Sequence, residues 1–362
     1  IMDEFPYLVL GDPALPSVLQ NWTDRERETG GMLVVIAGSS QRMMQGLVLD
    51  AAAPLYGRAA EAFALQPLPP AWLAEALGCG DPVEAVNAYA VWGGIPRYWE
   101  LAQPFGAALD DAVESLALNP MGPLHTEPER LLLEETPPAI ALRPVLDAIG
   151  GGSHRLSEIA GRLGCPATSL SRPLARLQEL GLVIRETPFG ESEKGGKRAL
   201  YKIADPFIAF WFQVVAPRRG FLAGATKAAR LAVWRKLKPV IVARVWEDLC
   251  RRAAPAWAAA KLGGVWHPAG RWWRANLPEW DIAAPALDGK RGLVGEAKWS
   301  ESVFDENDLR EIRKRLTSRS LPPDLPAEIE RVIFVPRASK NVKRRTNGWR
   351  VVDAAEALAY LK

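Results

Sequence analysis

The sequence predicts an α/β multidomain protein, and three features carry that prediction. Met32-Leu33-Val34-Val35-Ile36-Ala37 is an unbroken apolar run ending in Gly38-Ser39-Ser40. That is the pattern of a parallel strand buried on both faces, with polar residues at its C-terminal tip. Leu156, Ile159, Ala160 and Leu163 recur at helical spacing, and Leu170, Leu174, Leu177 and Leu180 repeat the stripe after a short turn. Residues 278–283 and 293–299 are strand-like and joined through Asp288-Gly289-Lys290, a hairpin turn. The chain length of 362 residues suits two or three domains.

Composition narrows the function classes. Hydrophobic residues make up 48% and charged residues 24%, which is globular material. A net charge of +3 neither demands nor excludes nucleic acid. Cys79, Cys165 and Cys250 lie far apart without C-x-x-C spacing, which argues against zinc and a disulfide framework and fits a reducing cytoplasm. His125, His154 and His267 are the only histidines, so a histidine-based metal site is not expected. No apolar run approaches a membrane span, so no membrane partner is expected. The 14 tryptophans, clustered around Trp266, Trp272, Trp273, Trp280 and Trp299, read first as core packing, with base stacking second.

The N-terminal elements follow in order. Ile1-Met2-Asp3-Glu4-Phe5-Pro6-Tyr7 reads as the end of a buried strand delivering two adjacent acids. An ATPase presents a magnesium-binding Asp and a catalytic Glu in this way. No G-x-x-x-x-G-K-[ST] phosphate loop occurs in these residues. After the run ending at Ala37, Pro54-Leu55-Tyr56-Gly57-Arg58 precedes a strand-like Glu61-Ala62-Phe63-Ala64-Leu65. Helices are expected at 71–77 and 82–92, leading to Gly93-Gly94-Ile95-Pro96.

In this order and spacing, Asp3-Glu4-Phe5-Pro6-Tyr7, Gly38-Ser39-Ser40, Pro54 to Arg58 and Gly93 to Pro96 resemble one prokaryotic family. It comprises the archaeal-type AAA-like ATPases of the STAND class, which carry a nuclease-like C-terminal domain of unknown function. The resemblance implies that Asp3 and Glu4 are the Walker B pair and that Ser39 or Ser40 senses the γ-phosphate. It also implies that Arg58 is an arginine-finger candidate, that Gly93 to Pro96 start a helical lid, and that the intact protein uses ATP and Mg²⁺. The expected fold of residues 1–142 is a partial P-loop ATPase parallel sheet with that lid. The chain reads as truncated at its N-terminus. Without the loop's backbone N–H groups and lysine, it is not expected to bind ATP tightly.

Residues 143–204 read as a winged helix-turn-helix. Ser157 can cap the first helix, Gly164 ends it and Gly181 ends the second. Strands at 182–185 and 199–203 flank a turn at 190–196. Arg172 and Arg176 on the second helix, with Lys197 and Arg198 on the wing, are the candidate DNA contacts. Glu191 and Glu193 dilute the wing's charge, leaving a protein-contact role open beside DNA binding. Pro173 is expected near the helix start, where it costs little. Asp205 to Phe212 begins an aromatic-rich helical linker, residues 205–238, that resembles a stretch of the same family.

Residues 239–362 order a helix at 240–252, the hairpin, a helix at 306–317, a strand at 331–335, and a last strand and helix between 349 and 361. With D…E-x-K on the hairpin, this resembles the PD-(D/E)xK nuclease core. Strand period two puts Glu296 and Lys298 on one face. Asp281 can reach the same point from the neighbouring strand. Clustered carboxylates favour a hard cation, Mg²⁺ or Mn²⁺, which activates water beside a phosphate. Asp281 and Glu296 are the expected ligands, with Glu247 as a further acid. Lys298 would hold the attacking water or the developing anion. The expected protein is an ATP-driven switch coupled to a DNA-processing module, with self-association open. Its rival is a regulatory module without catalysis.

Overall fold

The computed structural model describes residues 1–26, 30–38, 41–135, 142–192, 198–274 and 277–362. The chain divides into two units, Ile1–Gln66 and Pro67–Lys362. The break falls inside the expected 1–142 module, so the helices of 70–135 fold with the residues that follow them.

In the first unit the helices are α1 (Phe5–Gly11), α2 (Leu15–Glu26) and α3 (Gln41–Met44). Phe5, Leu19 and Leu55 form its small core, with Met2, Val9 and Ile36 packed against them. Met2 and Ile36 form a parallel bridge: Met2 N–H donates to Val35 O at 2.8 Å and Ala37 N–H to Met2 O at 2.9 Å. The expected strand is therefore reduced to a single bridge. Met32 and Leu33 are 74% and 86% exposed rather than buried on both faces. A doubly buried strand needs sheet neighbours along its edges and further elements packed over both faces. Among the described residues of this unit, only the segment around Met2 runs beside it. Residues 61–65 form no strand, and Phe63 and Leu65 are exposed.

The second unit begins with short helices: α4 (Leu73–Leu77), α5 (Pro82–Trp92), α6 (Pro96–Ala102), α7 (Leu109–Val113) and α8 (Glu127–Glu135). Asp81 caps α5 by accepting from Val83 N–H, and Pro82 starts it. Gly93 ends it at φ 58°, ψ −148°, a conformation that glycine alone adopts without strain. A Cβ there would lie 2.9 Å from Asp205 Oδ2 and 3.0 Å from Pro206 Cδ. The Gly93-Gly94 pair thus receives the start of α12 (Pro206–Phe210), where Phe207 stacks near Trp92 and Tyr98 at 6.3 and 4.5 Å between ring centroids. Gly93→Ala is expected to lower unfolding stability by about 1–3 kcal/mol. An unchanged urea midpoint would show that the turn relaxes without cost.

Next come α9 (Arg143–Gly150), α10 (Leu156–Leu163), α11 (Ser171–Glu179) and the antiparallel pair β1 (Val183–Glu186) and β2 (Leu200–Ile203). Gly164 and Gly181 end their helices at φ 63° and 66°, and Pro173 lies in the first turn of α11. Ser157 is not the cap of α10. Glu158 folds back to accept the N–H groups of His154 and Arg155, both at 2.9 Å, and so satisfies donors that the first turn leaves orphaned. Arg155 also bridges Leu200, which adds a third extended segment to the pair. Leu146, Ile149, Ile159, Leu174 and Leu177 fill the space between these elements.

After α13 (Arg219–Gly224), α14 runs from Lys227 to Leu262 as one 36-residue helix, crossing the expected boundary at 238/239. Pro239 and Pro255 lie inside it. Each removes a backbone donor, and burial of Trp234, Trp246, Leu249 and Trp257 outweighs that loss. The N-terminal half of α14 is tied to α7 and the turn after it. Arg235 and Trp234 both donate to Asp110 at 2.8 Å, and Arg230 reaches the buried Glu114.

The C-terminal half of α14 packs on a mixed six-stranded sheet, which also carries α15 (Glu306–Thr317) and α16 (Ala354–Ala359). Its strands are β3 (Gly270–Trp272), β4 (Trp280–Pro285), β5 (Arg291–Ala297), β6 (Glu328–Phe334), β7 (Arg345–Thr346) and β8 (Trp349–Val352), in the order β3-β4-β5-β6-β8-β7. β4–β5 is antiparallel, while β5–β6 and β6–β8 are parallel. Ile282, Leu293, Ala297 and Phe334 join the core that includes α14. Ala283, Val294, Ile333 and Val351 join a second core with Leu309, Ile312 and Leu316 of α15. This alternation is the period-two pattern of a sheet covered on both faces. Of the clustered tryptophans, Trp266, Trp272, Trp273 and Trp280 are buried, in keeping with packing.

Candidate metal and phosphate site

The site lies where β4 and β5 diverge. Their paired register ends at Ile282↔Gly295. Beyond it, Lys298 N–H donates to Phe334 O of β6 at 2.9 Å, so the preceding Ala297 N–H points to the opposite edge. There it meets Asp281 Oδ2, a side-chain oxygen, at 2.9 Å. The fork thus fixes Asp281 by replacing a ladder bond with a carboxylate. Arg251 of α14 holds the Asp281 carbonyl oxygen at 2.8 Å from the other side.

Glu296 is 4% exposed, and both its oxygens are engaged. Lys298 Nζ lies 2.5 Å from Oε1, which confirms that the two side chains share a face. Arg319 Nη1 lies 2.6 Å from Oε2. Arg319 follows α15, stacks over the Trp280 ring at 5.1 Å and also donates to the Glu279 carbonyl oxygen. Nothing in the sequence marks it: it stands alone in Ser318-Arg319-Ser320, outside any motif.

Glu247 faces this group from α14. Burial pushes its carboxyl up to about 7, and the charge of Asp281 adds to the shift. Burial, and after it the charge of Glu296, raise Asp281 to about 6 against the opposing Ala297 N–H bond, Lys298 and Arg251. Acids whose charged forms are disfavoured by desolvation and by neighbouring carboxylates are what a divalent cation would relieve. The all-oxygen donor set suits Mg²⁺ or Mn²⁺. Among the described residues, no three His, Cys, Asp or Glu side chains already converge as a ready ligand shell. To serve as a ligand, Glu296 would have to release Lys298 or Arg319.

The remaining expected residues are dispersed. Arg172 is exposed on α11, whereas Arg176 pairs with Glu179 at 2.8 Å and Arg198 pairs with Glu191. Ser39, Ser40 and Lys197 lie outside the described residues. The described residues after β1 are tied to β3. Phe189 N–H donates to Arg271 O of β3 at 2.7 Å, and Gly270 packs against the Phe189 side chain. Glu186 of β1 holds Lys202 at 2.7 Å and lies 3.6 Å from Arg251, the residue that grips Asp281. In the first unit, Arg58 makes a bidentate pair with Asp24 at 2.8 and 2.9 Å and donates to Pro54 O. Asp3 Oδ1 accepts the Glu4 N–H, and Glu4 sits at φ 48° ahead of α1.

Residues 211–312 match a family described as archaea bacterial proteins of unknown function. That stretch contains Glu247, Asp281, Glu296 and Lys298, but not Arg319. An uncharacterized protein of Methanocaldococcus jannaschii is 29% identical over 323 residues, covering 88% of this chain and 71% of that protein. No solved structure matches the chain. Among the described residues, no helix is long and apolar enough to cross a membrane.

Proposed function

We propose that the second unit cleaves phosphodiesters with a divalent cation held by Asp281, Glu296 and Glu247. Residues 143–204 would act as a winged helix-turn-helix that engages nucleic acid, DNA in preference to RNA. The supporting observation is the fork itself: Asp281 sits in the ladder at Ala297 N–H, next to Glu296 and Lys298, with Glu247 facing from α14. When bound, the cation would supply Lewis acidity and a water of lowered pKa. Lys298 would donate to a non-bridging phosphate oxygen, offsetting charge that builds as the water oxygen bonds to phosphorus and the leaving P–O bond breaks. The Ala297 bond fixes the Asp281 carboxylate, which would help it to hold a cation. Residues 1–142 would belong to an AAA-like ATP-driven switch, with Asp3 for Mg²⁺, Glu4 for water and Arg58 for transition-state charge. Arg58 would first have to leave Asp24.

The test is cleavage of supercoiled and linear duplex DNA, single-stranded DNA and RNA in Mg²⁺ or Mn²⁺. Wild-type protein is expected to cut duplex DNA, and Asp281→Ala to reduce cutting to background. Intact substrates in every lane would dismiss the reading. The double engagement of Glu296 favours one alternative, a regulatory module whose acids serve only structure. That module would bind partners and leave all substrates intact.

A further inference from the structure

We propose that the exposed cations of α15 and of the loop between β6 and β7 form one docking surface for the sugar–phosphate backbone of duplex DNA, held without regard to base sequence. The inference rests on the nucleic-acid part of the reading above and needs neither the metal nor cleavage.

Residues 310–319 and 336–350 together carry eleven Arg and Lys against a single acid, Glu311. The whole chain is only +3, so the remainder is net acidic. The two stretches fold against each other. Phe304, just ahead of α15, forms a parallel bridge to Ala338, and Ser339 N–H donates to Phe304 O at 2.9 Å. Val342 shares a core with Leu309, Ile312 and Leu316 of α15, and Lys343 N–H donates to Glu306 Oε2 at 3.3 Å. The Asn347-Gly348 turn, at φ 50° and 77°, closes β7 on β8 and holds Arg345 at the sheet edge. Five of the eleven cations are paired with an acid. The other six, Arg310, Lys314, Arg315, Lys340, Lys343 and Arg345, are exposed, and no carboxylate of the described residues lies within ion-pair distance of them. Glu306, on which the loop leans, is itself balanced by Arg313, whose Nη1 lies 2.6 Å from Oε1. Arg310 and Lys314 are one turn apart, about 6 Å along the helix. The same helix ends beside the fork, where Arg319 holds Glu296. A backbone laid over the loop and along α15 would therefore lead toward the candidate site. No large apolar residue is exposed within either stretch. A membrane-binding face adds apolar anchors to its cations, and a protein interface buries a core depleted in lysine. A cationic surface whose exposed Asn341 and Asn347 add neutral donors suits phosphate oxygens instead.

The test is fluorescence anisotropy of labelled duplexes of two unrelated sequences, with the full chain in EDTA over a range of KCl. Each phosphate neutralised by a cation contributes about −0.9 to the slope of log K against log salt. Lys340→Gln, Lys343→Gln and Arg345→Gln combined are expected to make that slope shallower by about 2–3 and to weaken binding of both duplexes roughly tenfold or more. Arg310→Gln with Lys314→Gln, on the helix, is expected to make it shallower by about 1–2. Arg97→Gln, Lys236→Gln and Lys290→Gln combined remove three exposed cations elsewhere and should leave the slope as in wild type. Wild-type binding with a slope that neither set changes more than this control would overturn the surface and leave the nucleic-acid reading standing. A change from only one of the two sets would overturn the claim that helix and loop act as one surface. Wild-type protein that binds phosphatidylserine vesicles and no duplex would give the surface to a membrane and overturn the inference. Duplex binding that both sets weaken, with no cleavage in Mg²⁺ or Mn²⁺, would uphold the surface and dismiss the phosphodiesterase. Failure of wild-type protein to bind any duplex would overturn the surface and the nucleic-acid reading together.

Discussion

Arg230→Ala is expected to lower the unfolding free energy by about 3–5 kcal/mol, the range for stripping one partner from a buried ion pair. Arg230 approaches Glu114 with two nitrogens, Nε at 2.8 Å and Nη2 at 2.5 Å from the same oxygen, while Nη1 donates to Ala225 O at 2.8 Å. Glu114 is 4% exposed, so water cannot take over when the guanidinium is gone. Truncation would leave a carboxylate inside a core of Leu116, Ala117 and Val113. Its main cost is therefore the orphaned charge, and the lost attraction is the smaller part. That distinction can be measured. Replacing both partners, Arg230→Met with Glu114→Met, removes the orphan and should restore most of the lost stability, because apolar residues of similar volume often replace buried pairs at little cost. Urea unfolding of the two proteins decides the matter. A loss below about 1 kcal/mol for Arg230→Ala would place this pair among ordinary surface pairs. A double variant no better than the single one would assign the role to packing of the arginine stem.

How much of this could be read in advance differs along the chain. Residues 82–92 and 306–317 form helices with the expected bounds, because proline and capping acids mark their starts: Asp81-Pro82 for α5 and Asp305 for α15. The E-x-K pair was legible because strand period two is local geometry and needs no knowledge of the rest of the fold. Other features depend on partners distant in sequence. Residues 32–37 have the composition of a central strand, but a strand's burial is decided by what lies beside it, and here that is one bridge to Met2. The helix at 240–252 extends in both directions to become α14, past two prolines, because anchors such as Asp110 and Glu114 lie more than a hundred residues upstream. Arg319 was invisible for the same reason. Its meaning comes from Glu296, 23 residues earlier, and from Trp280 beneath it. The hairpin after α11 looks like an exposed wing in sequence, yet its Phe189 turn docks on β3, where Gly270 leaves room for it.

Asp281→Asn and Glu247→Gln are each expected to make the metal-free protein more stable than wild type at pH 8, by up to about 3 kcal/mol for a shift of two pK units or slightly more. Asp281 is raised to about 6 and Glu247 to about 7 in the folded chain, from ordinary carboxylate values. Between those ordinary values and the raised ones, the folded state holds protons that the unfolded chain has released. The stability contribution of each group is then fully present below about pH 4 and is lost as pH rises through about 6 for Asp281 and about 7 for Glu247. Amide side chains carry no charge to desolvate, so the variants escape that loss. Asn at 281 can still accept the Ala297 N–H, which makes it a better probe than alanine. The gains should not add, because Glu247 is raised partly by the charge of Asp281. Urea midpoints measured from pH 4 to pH 8 should start together and diverge as pH rises. Mg²⁺ at pH 8 should then stabilise wild type and leave Asp281→Asn nearly unmoved, since the cation relieves the repulsion that the amide has already removed. Midpoints that fall for both variants at pH 8 would mean that the two carboxylates stabilise the fork rather than strain it, and that the crowding which points to a cation site is absent.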